Sequence, residues 1–163
     1  ANPRPIIAAS LKVVMPTGQY NPDRVVNVGA NRWAARLKLG TVIILKPKWL
    51  MEVSASTWLF GDDDDFFFGK KEQDPVFALE TNLIKRIRPG LWASLDVTYY
   101  RGGNQTIDGK PLDNKLDNLK LGGTLVVPIH GRHAIKVGYA NGVVTRYGND
   151  FDQFLVSYQV VLK

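Results

Sequence analysis

The densest chemistry in this chain is a run of four carboxylates, Asp62-Asp63-Asp64-Asp65, followed at once by the rings of Phe66, Phe67 and Phe68. Four carboxylates can gather oxygen ligands for Ca²⁺, but a calcium loop places its acids at alternate positions and this run does not. It reads as a solvated acidic tip, or as one bridged through divalent ions to lipopolysaccharide. The three phenylalanines read two ways: as a loop folded back on the mouth of the fold, or as a hydrophobic access patch for an apolar ligand. His130 and His133 are the only histidines, and no carboxylate adjoins them to complete a metal site. Both read as surface residues, and no metal is expected. The serines at 10, 54, 56, 94 and 157 sit in no nucleophile signature. No catalytic residues and no cofactor are expected; a membrane lipase or acyltransferase is the enzymatic alternative.

The remaining chemistry is dispersed charge, and its spacing shows what must position it. Apolar residues recur with period two in eight segments, roughly 5–16, 32–44, 49–60, 76–88, 91–101, 117–128, 133–141 and 152–162. From Leu91, the residues Leu91, Ala93, Leu95, Val97 and Tyr99 share one face, while Trp92, Ser94, Asp96, Thr98 and Tyr100 share the other. Across all eight segments the apolar face is interrupted only by Thr41, Thr57, Thr81, Lys85 and Gly123, and Lys85 stands near a strand end. The opposite face carries Lys12, Arg32, Arg36, Lys38, Glu52, Glu80, Arg86, Asp96, Lys120 and Lys136. Each strand therefore borders an apolar phase on one side only.

Bulk properties narrow the setting. The 163 residues make one domain, 1–163, and the absence of cysteine excludes disulfides and thiolate metal sites. No apolar run reaches the length of a transmembrane helix, whereas membrane strands alternate and dilute the average. A net charge of +6 is not gathered into a nucleic-acid footprint, so no nucleic-acid partner is expected. No basic leader with an apolar h-region opens the chain, as expected of a mature form or a fragment.

The connections alternate in length. Leu45-Lys46-Pro47-Lys48, Pro89-Gly90 and Ile129-His130-Gly131-Arg132 are short; 17–31, 61–75, 102–116 and 142–151 are long and hold most of the Asp, Asn and Gly. Tight turns at one end and long loops at the other are the pattern of an antiparallel up-and-down transmembrane β-barrel of the outer membrane. Trp33, Trp49, Phe77, Tyr99, Tyr139 and Phe154 lie near strand ends on the apolar face, as a membrane-interface girdle requires, while Tyr158 lies nearer the middle. Alternation alone leaves a soluble barrel or sandwich open, with the apolar face inside. In the membrane reading Lys12, Arg36, Lys38, Glu52, Glu80, Arg86, Asp96, Lys120 and Lys136 line the lumen. Their basic surplus then favours anions or polar tails.

Several stretches resemble a bacterial family of outer-membrane proteins linked to the meta-cleavage pathway of phenol degradation. They are Pro16-Thr17-Gly18-Gln19-Tyr20-Asn21-Pro22-Asp23, Asn27-Val28-Gly29-Ala30-Asn31-Arg32-Trp33, Phe60-Gly61-Asp62-Asp63-Asp64-Asp65-Phe66 and Glu72-Gln73-Asp74-Pro75. They continue with Arg88-Pro89-Gly90-Leu91-Trp92-Ala93-Ser94-Leu95-Asp96, Thr98-Tyr99-Tyr100-Arg101-Gly102-Gly103, Leu121-Gly122 and Gly131-Arg132-His133. The resemblance implies a barrel in the bacterial outer membrane and a transporter for small hydrophobic or aromatic compounds. Its members tend to be longer, with further strands ahead of this region. The chain is thus expected either to be the C-terminal part of a barrel of about twelve strands or to close as eight. The ending Val160-Val161-Leu162-Lys163 departs from the terminal aromatic usual in such proteins. Expected partners are outer-membrane lipid or lipopolysaccharide, a small hydrophobic ligand and, for an oligomeric form, further copies of the chain. A structural or adhesive barrel without a pore and a soluble ligand binder are the competing readings.

Overall fold

The computed structural model describes residues 4–24, 26–148 and 152–160. All regular structure among them is strand. The eight long strands are β1 (Ile6–Val14), β2 (Ala34–Lys46), β3 (Trp49–Phe60), β5 (Val76–Arg88), β6 (Leu91–Gly102), β9 (Leu116–His130), β10 (His133–Val144) and β11 (Gln153–Val160). Three short ones, β4 (Lys71–Gln73), β7 (Gln105–Ile107) and β8 (Lys110–Pro111), lie in the long loops. The long strands form one antiparallel meander in the order β1-β2-β3-β5-β6-β9-β10-β11. The sheet does not close as eight: β1 and β11 each pair with one neighbour only. Val161 and Leu162 of the last expected segment, and residues 149–151 of the last loop, lie outside the described residues.

Register confirms two chemically distinct faces. One row of cross-strand partners runs Ser10, Lys38, Ser56, Ala78, Tyr100 and Asn118; the next along the strands runs Ala9, Leu39, Ala55, Leu79, Tyr99 and Leu119. On the polar face, side chains reach across an intervening strand: Arg36 Nη2 on β2 meets Glu80 Oε1 on β5 at 2.5 Å, over β3. The sheet therefore curls with its polar face inside. The buried strand side chains Leu50, Ser56, Val76, Ala78 and Val126 all belong to that inner face by register. Leu37, Leu39, Leu79, Leu95 and Phe154 on the other face remain 51–69% exposed, and no second sheet among the described residues lies against them. A sandwich would bury that face, so the structure rules out the sandwich reading.

The first and third short links are tighter than the sequence reading had them, and the Pro89-Gly90 link is as expected. Only Pro47-Lys48, Pro89-Gly90 and Gly131-Arg132 lie between strands, and bulges beside the turns take up Leu45, Ile87 and Ile129. Gly90 at φ 78° follows Pro89, the arrangement of a type II turn. The long loops carry structure of their own. β4 pairs with β7 and β7 with β8, joining the second and third loops in a small sheet. Asp108 and Gly109 form the two-residue link between β7 and β8, both at positive φ, which is the type I′ hairpin signature. Tyr158, expected nearer mid-strand, lies close to the short-turn end. Its hydroxyl is 2.5 Å from Nδ1 of His133, the first residue of β10, because the β10–β11 register starts there.

Candidate functional site

The inner wall collects the charges that the period-two pattern assigned to one face. Glu80 stands between two cations: its Oε1 accepts from Arg36 Nη2 at 2.5 Å, and its Oε2 pairs with the Lys38 ammonium. Arg36 also donates to Ser56 Oγ at 3.0 Å, and its guanidinium lies 5.8 Å from the Trp58 ring. Lys12 approaches the same ring at 5.6 Å. Trp58 stacks on Phe60, whose face carries Arg32 at 4.7 Å. This part of the wall is thus a cation–aromatic ladder in which Arg36 and Lys38 share the Glu80 carboxylate while Lys12 and Arg32 lie against the rings of Trp58 and Phe60. Glu80→Gln would leave Arg36 and Lys38 side by side without counter-charge. Because these side chains are 20–33% exposed, the expected loss is about 1–2 kcal/mol. It would be read as a lowered midpoint of thermal unfolding in detergent, with a smaller fall for Lys38→Gln.

A second group lies nearer the short turns. Glu52, Asn82 and Asp96 are in register on β3, β5 and β6. The Asn82 amide nitrogen reaches Glu52 Oε2 at 3.4 Å in one orientation and Asp96 Oδ1 at 3.1 Å in the other. Thr124 donates to Asp96 Oδ2 at 3.1 Å. These carboxylates line a cleft of about 390 Å³ with Arg86, Lys136 and the Trp92 ring. Lys120 points into an adjoining cleft of about 270 Å³ with Glu80, Thr98 and Tyr100, and its ammonium is 3.3 Å from Gln153 Oε1. A larger groove of about 640 Å³ lies on the opposite face, among Ala9, Leu11, Leu37, Leu39, Ala55 and Phe77. It belongs to the exposed apolar surface and offers little polar chemistry.

The long-loop end is tied down by a carboxylate. Asp63 is 2% exposed; it accepts from the Tyr20 hydroxyl at 2.9 Å and from Asn31 Nδ2 at 2.8 Å, while its backbone pairs with Lys71. The acidic run is therefore not a uniform solvated tip. Asp64 and Asp65 are exposed, and Asp62 shares the Lys70 ammonium with Glu72 at 2.7 and 3.0 Å. Those two partners hold Lys70 above its ordinary range. Burial, with the Asp63 hydrogen bond, raises the Tyr20 phenol to about 12. Burial pushes Arg32 down, partly offset by Asp63 and Asp62, while its Nη2 donates to Gln73 Oε1 at 2.5 Å. Phe66 is half-buried under the Lys71 ammonium at 4.7 Å, whereas Phe67 and Phe68 are exposed and meet edge to face at 4.8 Å.

The aromatics expected at the membrane interface sit at both ends of the apolar face. Phe77, Tyr99, Tyr139 and Phe154 stand towards the long loops, with Trp33 just ahead of β2, and Trp49 opens β3 at the short-turn end. Tyr99 is hydrogen-bonded to Asp117, and Tyr139 donates to Asp152 at 2.6 Å. The candidate residues thus form three groups: the Arg36–Lys38–Glu80 cluster with Lys12, the Glu52–Asp96 cleft with Arg86 and Lys136, and the loop run around Asp63. Trp58, Phe60, Trp92 and Tyr100 complete the wall. Their parity already placed them on the polar face, which was the signal available for them.

An inward polar wall, an outward apolar face and long loops at one end are the arrangement of an antiparallel transmembrane-barrel wall. The structure resembles the crystal structure of an outer membrane channel from Pseudomonas putida F1, with a TM-score of 0.84 and 23% identity. The alignment covers 94% of this chain and 58% of that one, so the chain spans under two thirds of the channel's length. Residues 1–156 match the family described as "Putative MetA-pathway of phenol degradation", and the chain belongs to that family. No curated protein matches the chain.

Proposed function

We propose that this chain forms most of the wall of a bacterial outer-membrane channel that passes small hydrophobic or aromatic compounds. The observation that carries the reading is the inversion of the sheet: charged and polar groups are gathered inside the curl, and the aliphatic face is left bare. Water would cover that face at great cost, whereas lipid covers it at none. Strands supplied by the rest of a longer protein would close the gap between β1 and β11, since an open edge is not tolerated in hydrocarbon. Aromatic faces set among cations suit compounds with an apolar body and a polar head, and Phe67 and Phe68 offer them a first apolar contact at the loops. The test is the full-length protein in detergent and in planar bilayers. Heat-shifted gel migration together with stepwise conductance, reduced by an added aromatic solute, supports the reading. A heat-shifted barrel that neither conducts nor passes aromatic solutes into vesicles would instead be a structural barrel.

A further inference from the structure

Charge is sorted along the strands. The short-turn end holds Lys46, Lys48, Lys85, Arg88 and Arg132, all exposed, and no Asp or Glu occurs within 45–51, 84–91 or 129–135. None of the five enters an ion pair among the described residues. Lys85 is the anomaly among them, because the rest of its face of β5, Phe77, Leu79, Thr81 and Leu83, carries no charge. Register explains its company: Lys46, Trp49 and Lys85 are direct neighbours on β2, β3 and β5, so one indole is flanked by two ammonium groups on the outward face. The ammonium groups lie 5.7 and 5.2 Å from the ring centroid. Towards mid-strand, the next full row on this face is Ile43, Met51 and Leu83, which is wholly apolar.

From this we infer a phospholipid headgroup site, an inference that rests on the outer-membrane reading above. Lys46 and Lys85 take the phosphate of an anionic glycerophospholipid in the periplasm-facing leaflet. Trp49 lies at the glycerol level, and Ile43, Met51 and Leu83 meet the start of the acyl chains. Lys48, Arg88 and Arg132 add the field that draws anionic lipid to this end. The row faces sideways and runs straight into aliphatic surface. A soluble acidic protein could not reach it without entering the acyl region, so the anion that fits is one carried by a lipid.

The test uses the full-length protein in vesicles and the quenching of Trp49 fluorescence by brominated lipid, with Trp49→Phe identifying that residue's share of the signal. Brominated phosphatidylglycerol should quench Trp49 preferentially over brominated phosphatidylcholine. The preference should fall about fivefold for each of Lys46→Gln and Lys85→Gln. Heat-shifted migration of the variants shows that they still fold. Equal quenching by the two lipids, or a preference untouched by the double substitution, overturns the site. Loss of the preference at low millimolar inorganic phosphate would assign the pair to free phosphate and overturn the lipid. A chain that stays outside the vesicles overturns the outer-membrane reading together with the site, whereas an inserted barrel without preference overturns the site alone.

Discussion

Leu95→Arg is expected to lower the stability of the folded barrel by about 2–4 kcal/mol, the cost of a cation on the lipid face of a membrane strand away from the interfaces. Leu95 is 59% exposed, lies well inside β6 and has Leu83 and Gly123 as cross-strand neighbours. In water an exposed leucine replaced by arginine changes stability by only a few tenths of a kcal/mol. The large cost therefore exists only if lipid covers this face. Ser94→Arg, one residue away, supplies the control. Ser94 faces inward beside Thr124 and shares a cleft with Glu52 and Asp96, so an arginine there finds carboxylates within reach. Denaturant unfolding in lipid vesicles should show Leu95→Arg far below wild type and Ser94→Arg close to it. The opposite ranking would mean that the faces are inverted.

The strands were legible because two constraints agreed along the whole chain. Period-two alternation fixed which residues share a face, and Pro-Gly and Pro-Lys links fixed where each strand turns. Lys38 and Leu39 could not exchange faces without moving every later residue of β2. The inward placement of Lys12, Arg36, Lys38, Glu52, Glu80, Arg86, Asp96, Lys120 and Lys136 followed from the same parity. Parity does not say which charges meet. That Glu80 takes Arg36 and Lys38, two strands away, depends on how tightly the sheet curls, and curl has no local sequence signal. The loops were less legible still. Asp108-Gly109 carries a hairpin signature that locates β7 and β8, but the pairing of β4 with β7 joins residues more than thirty positions apart. Nothing local distinguishes Asp63 from its three neighbours. Its burial is a product of where the first loop brings Tyr20 and Asn31.

That singular role makes Asp63→Ala the most disruptive change expected outside the strands. Two side-chain hydrogen bonds to a buried carboxylate are lost, each worth about 1.5–3 kcal/mol when one partner is charged. Tyr20 and Asn31 can partly turn to water, so the local loss should be about 3 kcal/mol, roughly a hundredfold more opening of the first and second loops. The sheet hydrogen bonds do not pass through Asp63, so the thermal midpoint of the barrel should hardly move. Limited proteolysis within 17–31 and 61–75 should accelerate sharply, and unchanged cleavage would show that the loops are held by something else. The same knot has a pH signature. Folding raises the Tyr20 phenol from its ordinary 10 to about 12, so the folded loop prefers the protonated hydroxyl. Its contribution is complete below pH 10 and is lost as pH rises towards 12, when the phenolate would face the Asp63 carboxylate. Loop cleavage should therefore rise over that interval in the wild type, whereas in Asp63→Ala it should already be high at neutral pH and respond much less.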